Sequence, residues 1–211
     1  MIDSLLKIVF PPRCIVCKKN DTLLCDECSK NLRFEPKDYV CYPFIYAVSV
    51  FQVSTTLRLI VHQFKYKYKE YLISILSDYL LMTVDIYFKE QSDYVLVPIP
   101  LHQKRIDERG FNQAMLICET ISKKRNYAIC HLLKRTKETK QQALLNKKER
   151  KDNVSNIFEI DSNELNKLGS KNIILVDDII TSGETLKSAA LTIKNLIPNK
   201  LFAITLSRGI K

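Results

Sequence analysis

Short apolar runs alternate with longer amphipathic stretches along most of the chain. The runs are rich in Val, Ile and Leu, which is typical of buried strands, and they occupy residues 45–53, 94–97, 173–176 and 201–206. Apolar residues recur at helical spacing between them, in residues 72–88, 112–124 and 184–196. Strands that alternate with helices predict a doubly wound α/β fold with a parallel sheet and helices on both faces.

The first 40 residues lack this alternation and contain two Cys-x-x-Cys pairs. The pairs are separated by seven residues and consist of Cys14, Cys17, Cys25 and Cys28. Four thiolates complete the tetrahedral coordination of Zn²⁺ without an open position, so the spacing predicts a structural zinc site. A redox-active dithiol is the alternative. The pattern predicts two domains, an N-terminal helix and zinc module in residues 1–40 and an α/β domain in residues 41–211.

Two acids and a run of small residues follow the apolar run at residues 173–176. Asp177 and Asp178 are placed at the carboxyl end of the predicted strand, where α/β sheets bind their ligands. The small-residue loop before the next helix can direct backbone N–H groups at one anion. Acids beside a phosphate site suit a sugar phosphate, whose hydroxyls or metal would contact the carboxylates. The alternative is an ordinary strand end followed by a helix cap.

Composition and charge indicate the cellular compartment but do not identify the ligand. The formal net charge of +10 predicts attraction to anions, without separating nucleotides, nucleic acid and lipid. Seven cysteines, an odd number and partly in close pairs, favour a reducing compartment. No segment is long and apolar enough to qualify as a membrane span. The apolar core of the first ten residues is too short for a secretion signal. These features predict a cytoplasmic protein.

The loop after residues 173–176 resembles the sugar-phosphate signature of type I phosphoribosyltransferases, which bind phosphoribosyl pyrophosphate (PRPP). Further motifs occur in order along nearly the whole chain and are similar to those of the ComF family of competence-associated proteins, which join a zinc ribbon to a phosphoribosyltransferase domain. These motifs are Phe10-Pro11-Pro12-Arg13-Cys14-x-x-Cys17, His62-x-Phe64-Lys65-Tyr66, Val97-Pro98-Ile99-Pro100-Leu101-His102, Arg105-x-x-x-Arg109-Gly110-Phe111-Asn112-Gln113, Gln142-Ala143-x-Leu145 and Arg150-x-x-Asn153-Val154.

The resemblance implies a role for each part of the PRPP site. It assigns the ribose hydroxyls to Asp177 and Asp178. It assigns the 5′-phosphate to a loop, called the signature loop below, with the residues Ile179, Ile180, Thr181, Ser182, Gly183, Glu184 and Thr185. It assigns the Mg²⁺-bound pyrophosphate to the Pro98 loop (residues 98–105) and its neighbours, namely Pro100, Leu101, His102, Lys104, Arg105 and Arg109. Arg109 and Asn112 have an alternative role, in bracing that loop or capping the next helix.

Two further stretches are cationic and carry no assigned role from the residues alone. Residues 134–156 contain eight Lys or Arg against three acids and lack apolar periodicity, which is typical of a mobile functional loop. The resemblance implies that this segment is a flexible hood that closes over the substrate. Residues 64–69 alternate aromatic and basic side chains, which suits stacking on bases or, equally, a helix with one solvated cationic face.

The resemblance therefore implies DNA uptake, with three hypotheses for the chemistry. The first is a phosphoribosyltransferase, a pentosyl-transferring enzyme in which Asp177, Asp178, Lys104 and Arg105 contact the reacting groups. The second is a non-catalytic sensor of PRPP or a nucleotide. The third is an accessory that binds single-stranded DNA and works with a DNA translocase or helicase of the competence system.

Overall fold

The computed structural model describes residues 12–40, 42–66, 69–88, 93–136, 157–194 and 200–209, with the backbone alone for residues 64–66 and 69–72. Several sequence predictions lie outside these residues. They concern the segment before Pro11, the lone Cys41, the side chains of residues 64–69 and residues 137–156 of the hood, including Arg150 and Asn153.

In the part of the chain that the structure describes, eight strands form two sheets. They are β1 (Phe34–Tyr39), β2 (Ala47–Gln52), β3 (Tyr94–Pro98), β4 (Ala128–Ile129), β5 (Leu133–Arg135), β6 (Phe158–Ile160), β7 (Asn172–Ile180) and β8 (Leu201–Arg208). The main sheet has the order β1-β2-β8-β7-β3-β4, and β5 and β6 form a separate antiparallel hairpin. Only β1 runs antiparallel to its neighbour in the main sheet. The sheet is therefore mostly parallel, as the alternation of strands and helices predicts.

Helices cover both faces of the main sheet. They are α1 (Asp26–Ser29), α2 (Thr55–Tyr66), α3 (Lys69–Tyr87), α4 (Gln103–Arg109), α5 (Gln113–Arg125) and α6 (Glu184–Lys194), with a 3₁₀ helix at Ser162–Lys167. Helices α2, α3 and α5 contribute to one core cluster, and α6 and the β5–β6 hairpin contribute to the cluster on the opposite face. Within the described residues, no helix is both long enough and apolar enough to span a bilayer.

The central strands are apolar on both faces because helices cover both. Ile174 and Val176 of β7 belong to the cluster beneath α2, α3 and α5, while Ile173 and Leu175 belong to the cluster beneath α6. All four side chains are at most 1% exposed. A strand buried on both faces has a continuous rather than alternating apolar run, which is how the sequence presents it. The predicted fold class is confirmed.

The sequence also predicts a short strand at residues 131–133, and the structure corrects its position. The backbone N–H of His131 donates to Glu164 Oε2 over 3.0 Å, and the residue lies outside any strand. The strand β5 instead begins at Leu133, which lies opposite Ile160, and ends at Arg135 opposite Phe158. The pairing partner lies 27 residues away along the chain at Leu133, so local apolar character could not place the strand's ends.

Strand β1 links the cysteine-rich segment to the sheet. It lies within residues 1–40 and forms the antiparallel edge of the main sheet, with Tyr39 opposite Ala47. The backbone of Gln52 also donates to the carbonyl of Arg33 over 3.0 Å. The segment that contains the cysteines is therefore continuous with the sheet that carries the predicted ligand loops.

Candidate functional site

The sheet topology brings the two predicted ligand loops to the same edge. Strands β3 and β7 are parallel neighbours, with Pro98 opposite Val176. One residue later, the backbone N–H of Ile99 donates to the carbonyl of Val176 over 2.9 Å. The Pro98 loop therefore leaves the sheet directly beside Asp177, the first acid of the pair. Residues 181–185 of the signature loop and most of the Pro98 loop lie beyond the carboxyl ends of adjacent parallel strands, where α/β folds bind ligands. Ile179 and Ile180, which the sequence placed in the loop, are instead the last two residues of β7 because they pair with β8.

The acid pair interrupts the alternation of side chains along β7. Val176 and Ile179 contact the same core cluster although they are three residues apart, so the regular alternation breaks at Asp177 and Asp178. Both acids are half-buried. Asp177 Oδ1 accepts from the N–H of Asp178 over 2.8 Å, and Asp178 Oδ1 accepts from the N–H of Ile179 over 2.7 Å. These bonds restrain both carboxylates at the point where the strand meets the signature loop.

The signature loop leads straight into helix α6. Gly183 has φ of 81°, a left-handed conformation that disfavours any residue with a Cβ. Ser182 Oγ accepts from the N–H of Glu184 over 3.4 Å, and the Gly183 carbonyl accepts from the N–H of Lys187 over 2.9 Å. The first-turn N–H groups of α6 lack carbonyl partners within the helix, which makes this end attractive to an anion. The arrangement suits a phosphate.

Two polar residues of the Pro98 region shape the loop. The structure places His102 at the N-cap of α4, where its Nδ1 accepts from the N–H of Lys104 over 3.4 Å. Asn112 donates through Nδ2 to the carbonyl of Ile99 over 2.9 Å and accepts through Oδ1 from the N–H of Ala114 over 3.0 Å. Asn112 therefore both braces the loop and caps α5, which are the structural roles weighed for it from the sequence.

The predicted cations lie on or next to helix α4. Lys104 is exposed, whereas Arg105 and Arg109 are half-buried. Arg105 and Arg109 are four residues apart, so they lie on the same side of the helix. Arg109 Nη1 donates to Gln113 Oε1 over 3.2 Å, which joins the end of α4 to the start of α5. The structure thus gives Arg109 a bracing contact.

Arg135, at the end of β5, is a site residue that the sequence did not reveal. Its Nη1 donates to the carbonyl of Pro100 over 3.5 Å, and its guanidinium carbon lies 5.7 Å from the ring centre of Phe158. Burial lowers the pKa of Arg135 and the neighbouring Arg105 lowers it further, while Asp177 acts in the opposite direction. Arg135 therefore lies within electrostatic range of both the Pro98 loop and the acid pair.

The sequence offered little to distinguish Arg135 from its neighbours. It is one of eight cations in residues 134–156, all of which belong to the segment predicted to be a mobile hood. Its position becomes special only because β5 pairs with β6 and because Thr136 donates to the carbonyl of Ile157 over 2.9 Å. A basic residue ending an apolar stretch beside a long polar segment was the available signal.

The four N-terminal cysteines converge on one point. Their Sγ atoms all lie within 4.8 Å of one another, and those of Cys17 and Cys25 are 3.5 Å apart. Tetrahedral Zn²⁺ with Zn–S bonds of about 2.3 Å places its sulfurs about 3.8 Å apart, so the cluster fits this ion. Cys14 lies at the start of a tight turn in which its carbonyl accepts from Lys18 N over 2.9 Å. Cys25 occupies the N-cap position of α1 without a side-chain capping bond, and Cys28 lies within that helix.

The thiols of the cluster differ in acidity because their surroundings differ. Burial raises the pKa of Cys14, but backbone N–H groups of its neighbours outweigh this effect and lower the pKa to about 6. Burial and the adjacent sulfurs raise the pKa of Cys28 to about 12. Four thiolates at this spacing require a cation to offset their repulsion, which a structural Zn²⁺ provides.

Two other cysteines lie in the hydrophobic core, as their apolar sequence surroundings predict. Cys118 of α5 and Cys130 are both 0% exposed. Burial raises the pKa of the Cys130 thiol to about 11 and that of Cys118 well above its ordinary value. Both thiols therefore stay protonated near neutral pH and act as small apolar side chains.

The fold and its sites define an α/β protein in which a loop suited to an anion adjoins paired acids, preceded by a module with four clustered cysteines. Residues 5–44 match the Double zinc ribbon domain family. This match and the geometry of the cysteine cluster support a structural zinc site.

Curated relatives extend the comparison beyond the ribbon. The chain is 31% identical to the DNA utilization protein YhgH of Escherichia coli K12 over 156 residues, which cover 70% of this chain and 65% of YhgH. It is 38% identical to the competence protein ComFC of Bacillus subtilis over 99 residues, 46% of this chain and 37% of ComFC. Competence protein F of Haemophilus influenzae is 32% identical over 102 residues, 48% of this chain and 44% of that protein.

These matches confirm the resemblance to the ComF family: the chain is homologous to ComFC, competence protein F and YhgH. The matched segment spans a little under two thirds of YhgH. Among solved structures, adenine phosphoribosyltransferase of Saccharomyces cerevisiae is similar, with a TM-score of 0.44 and 17% identity over 88% of this chain and 90% of that one.

Proposed function

We propose that the protein binds PRPP and serves natural competence or DNA uptake as a phosphoribosyltransferase-like protein. The observation that carries the proposal is the junction of β3 and β7, where Ile99 N–H and the Val176 carbonyl join the two ligand loops over 2.9 Å. PRPP carries phosphate groups at both ends of a ribose. A 5′-phosphate in the signature loop and a pyrophosphate at the Pro98 loop would place the ribose over Asp177 and Asp178.

The residues assigned to PRPP have complementary tasks. The carboxylates of Asp177 and Asp178 would accept hydrogen bonds from the ribose hydroxyls, and the main chain of residues 179–185 would donate to the 5′-phosphate. Lys104, Arg105 and Arg109 would attract the pyrophosphate, for which guanidinium groups have suitable geometry. Mg²⁺ supplies charge neutralisation to PRPP when bound, and carboxylate oxygens are ligands that it accepts.

A transfer reaction at this site would exchange one bond at ribose C1 for another. An acceptor atom forms a bond to C1 while the bond from C1 to the pyrophosphate oxygen breaks, and the electron pair departs with the pyrophosphate. Positive charge accumulates on the sugar in between, as it does in glycoside hydrolysis. The chain's part is to orient the ribose through its acids and to stabilise the leaving anion with fixed cations.

A second candidate is a non-catalytic PRPP sensor. His102, the one histidine of the Pro98 loop, caps helix α4 through Nδ1 instead of offering that nitrogen to an acceptor. A transferase needs a group that takes the acceptor's proton, or an acceptor that is already deprotonated. A sensor needs neither and uses the same binding residues.

Calorimetric titration of the full chain tests the binding proposal that both candidates share. We expect PRPP with Mg²⁺ to bind more tightly than ribose 5-phosphate or pyrophosphate alone, since only PRPP occupies both loops. Release of pyrophosphate on addition of candidate bases then identifies a transferase, and binding without release identifies a sensor. If the wild-type protein does not bind PRPP at millimolar concentration, that result contradicts both candidates.

Replacing Arg135 with methionine is expected to weaken PRPP binding about tenfold to a hundredfold. The reason is the loss of a proposed charge-assisted hydrogen bond from the Arg135 guanidinium to the pyrophosphate, worth about 1.5–3 kcal/mol. The loss should appear for PRPP and pyrophosphate and not for ribose 5-phosphate. Arg125→Met is the matched control, because Arg125 pairs with Asp85 on the face of α3 and α5. Equal losses for all three ligands would contradict a role at the pyrophosphate end.

A direct role with single-stranded DNA is the third candidate, and the names of the relatives and the charge of +10 favour it. If cationic side chains bind the DNA backbone, the logarithm of the affinity should fall linearly with that of the salt concentration, with a slope of about −0.7 for each phosphate contacted. Fluorescence anisotropy with a labelled oligonucleotide measures this slope. If the affinity for the oligonucleotide is no higher than that of an unrelated protein with similar charge, this chain does not bind DNA specifically. DNA would then be bound by a partner, such as a translocase or helicase of the uptake machinery.

A further inference from the structure

An aromatic–cation contact joins the ribbon-bearing edge strand to the end of β8. The guanidinium carbon of Arg208 lies 4.2 Å from the ring centre of Tyr39, which is well within the range of a cation–π interaction. Tyr39 is the last residue of β1, and Arg208 is the last residue of β8. They are 169 positions apart in sequence, and β2 lies between their strands in the sheet. The contact therefore crosses from one part of the fold to another.

The backbone of Arg208 lies directly beside the start of the signature loop. Arg208 is opposite Ile180, the last residue of β7, and the next residue, Gly209, donates its N–H to the Ile180 carbonyl over 2.6 Å. A Cβ atom built on Gly209 would lie 3.3 Å from that carbonyl oxygen and 3.7 Å from Thr181 Cα. The end of β8 thus lies directly against Ile180 and Thr181 at the start of the signature loop.

Tyr39 also contacts the core beneath the loop. Its half-buried side chain packs against the cluster on the α6 face, which contains Ile180 near the start of the loop and Leu186 just after its end. One aromatic ring therefore touches both the packing that supports the loop and the cation that ends the adjacent strand.

We propose that Tyr39 and Arg208 are positioning residues that couple the zinc ribbon to the signature loop. The ring of Tyr39 fixes the side chain of Arg208, the end of β8 stays seated against Ile180, and the loop keeps the conformation that receives a phosphate. The inference rests on the proposed function only for the identity of the ligand. An intact ribbon would then support ligand affinity through β1, without any contact between zinc and ligand.

Hydrogen–deuterium exchange of the ligand-free full chain tests the coupling without depending on PRPP. The Tyr39→Leu variant should exchange the Gly209 amide and the amides of residues 181–184 about twofold to fivefold faster, the size expected for loss of one exposed cation–π contact. Tyr39→Phe keeps an aromatic face and should restore slow exchange. Arg208→Met should match Tyr39→Leu, and the double variant should add nothing further, because both changes remove one shared contact.

Ligand affinity provides a second readout. If the wild type binds PRPP, Tyr39→Leu and Arg208→Met should weaken binding by the same twofold to fivefold factor, with unchanged zinc content. Unchanged exchange in Tyr39→Leu, or equally fast exchange in Tyr39→Phe, would overturn the coupling. A much larger affinity loss in Arg208→Met, additive with that of Tyr39→Leu, would also overturn it, since Arg208 would then contact the ligand itself. Absence of wild-type PRPP binding would refute the proposed function and leave the exchange test intact.

Discussion

Replacing Cys17 with serine is expected to abolish stable zinc binding and to unfold the N-terminal ribbon. Cys17 is the exposed member of the cysteine cluster, so the substitution removes a metal ligand without opening a cavity in the core. Structural Zn²⁺ contributes on the order of 10 kcal/mol to the folding of small metal modules, which have little apolar core of their own. The wild type should contain about one zinc per chain after dialysis against a mild chelator, and the variant almost none.

Cys130→Ala is the matched control for the zinc experiment. Cys130 is equally a cysteine but lies in the core of the α/β domain, away from the cluster. This variant should keep its zinc and lose only the modest stability associated with a smaller buried side chain. Elemental analysis and thermal unfolding measure the two effects. Full zinc content in Cys17→Ser would mean that the ion is bound elsewhere or by a different set of residues.

Converting both acids of the pair to amides, Asp177→Asn with Asp178→Asn, is expected to weaken PRPP binding at least a hundredfold. Each carboxylate is proposed to accept a charge-assisted hydrogen bond from a ribose hydroxyl, and such bonds contribute about 1.5–3 kcal/mol each. Two of them correspond to about 3–6 kcal/mol, and each 1.4 kcal/mol is a factor of about ten in affinity. Calorimetry with PRPP and Mg²⁺ measures the loss.

A double variant of equal charge change controls for the general electrostatic effect. Asp78→Asn with Asp93→Asn removes two exposed carboxylates, one on α3 and one just before β3 at the opposite end of the strand from the ligand loops. Its PRPP affinity should equal that of the wild type or rise slightly, because the protein becomes more cationic. Similar losses in both double variants would show that Asp177 and Asp178 have no specific role in binding.

The chain pattern predicts the fold well where the interactions are local or where burial is complete. The apolar run at residues 173–176 indicates a strand covered on both faces, and β7 meets helices α5 and α6 on its two sides. Its end is less predictable: β7 continues through both acids to Ile180 because β8 continues alongside it, with Ile180 opposite Arg208. The length of a strand depends on the strand that pairs with it. For β7 that strand is β8, which local sequence around β7 does not reveal.

Some residues of the candidate site could likewise be predicted from local sequence, and others could not. Asp177, Asp178 and Gly183 are close in sequence and were predicted from their spacing, and Cys14 and Cys28 were predicted from two Cys-x-x-Cys pairs. Arg135 comes to the site only through a hairpin. Because tertiary pairing creates its position, no local pattern separates it from the other cations of residues 134–156.

The contact between Tyr39 and Arg208 could not be predicted from the sequence either. Tyr39 was predicted as part of the zinc module and Arg208 lies beyond the predicted end of the last strand. The structure extends β8 to Arg208 and places β1 in the same sheet, and these two facts together create the contact. Long-range sheet order is decided by the whole chain, so a motif-by-motif analysis could not find it.

A crystal structure of the full chain with PRPP and Mg²⁺ would show directly whether the two loops hold this ligand. We expect the 5′-phosphate among the backbone N–H groups of residues 181–185, the ribose hydroxyls on Asp177 and Asp178, and the pyrophosphate beside the Pro98 loop with Arg135 nearby. Density for PRPP at any other place on the protein, with the signature loop still folded and empty, would contradict the proposal.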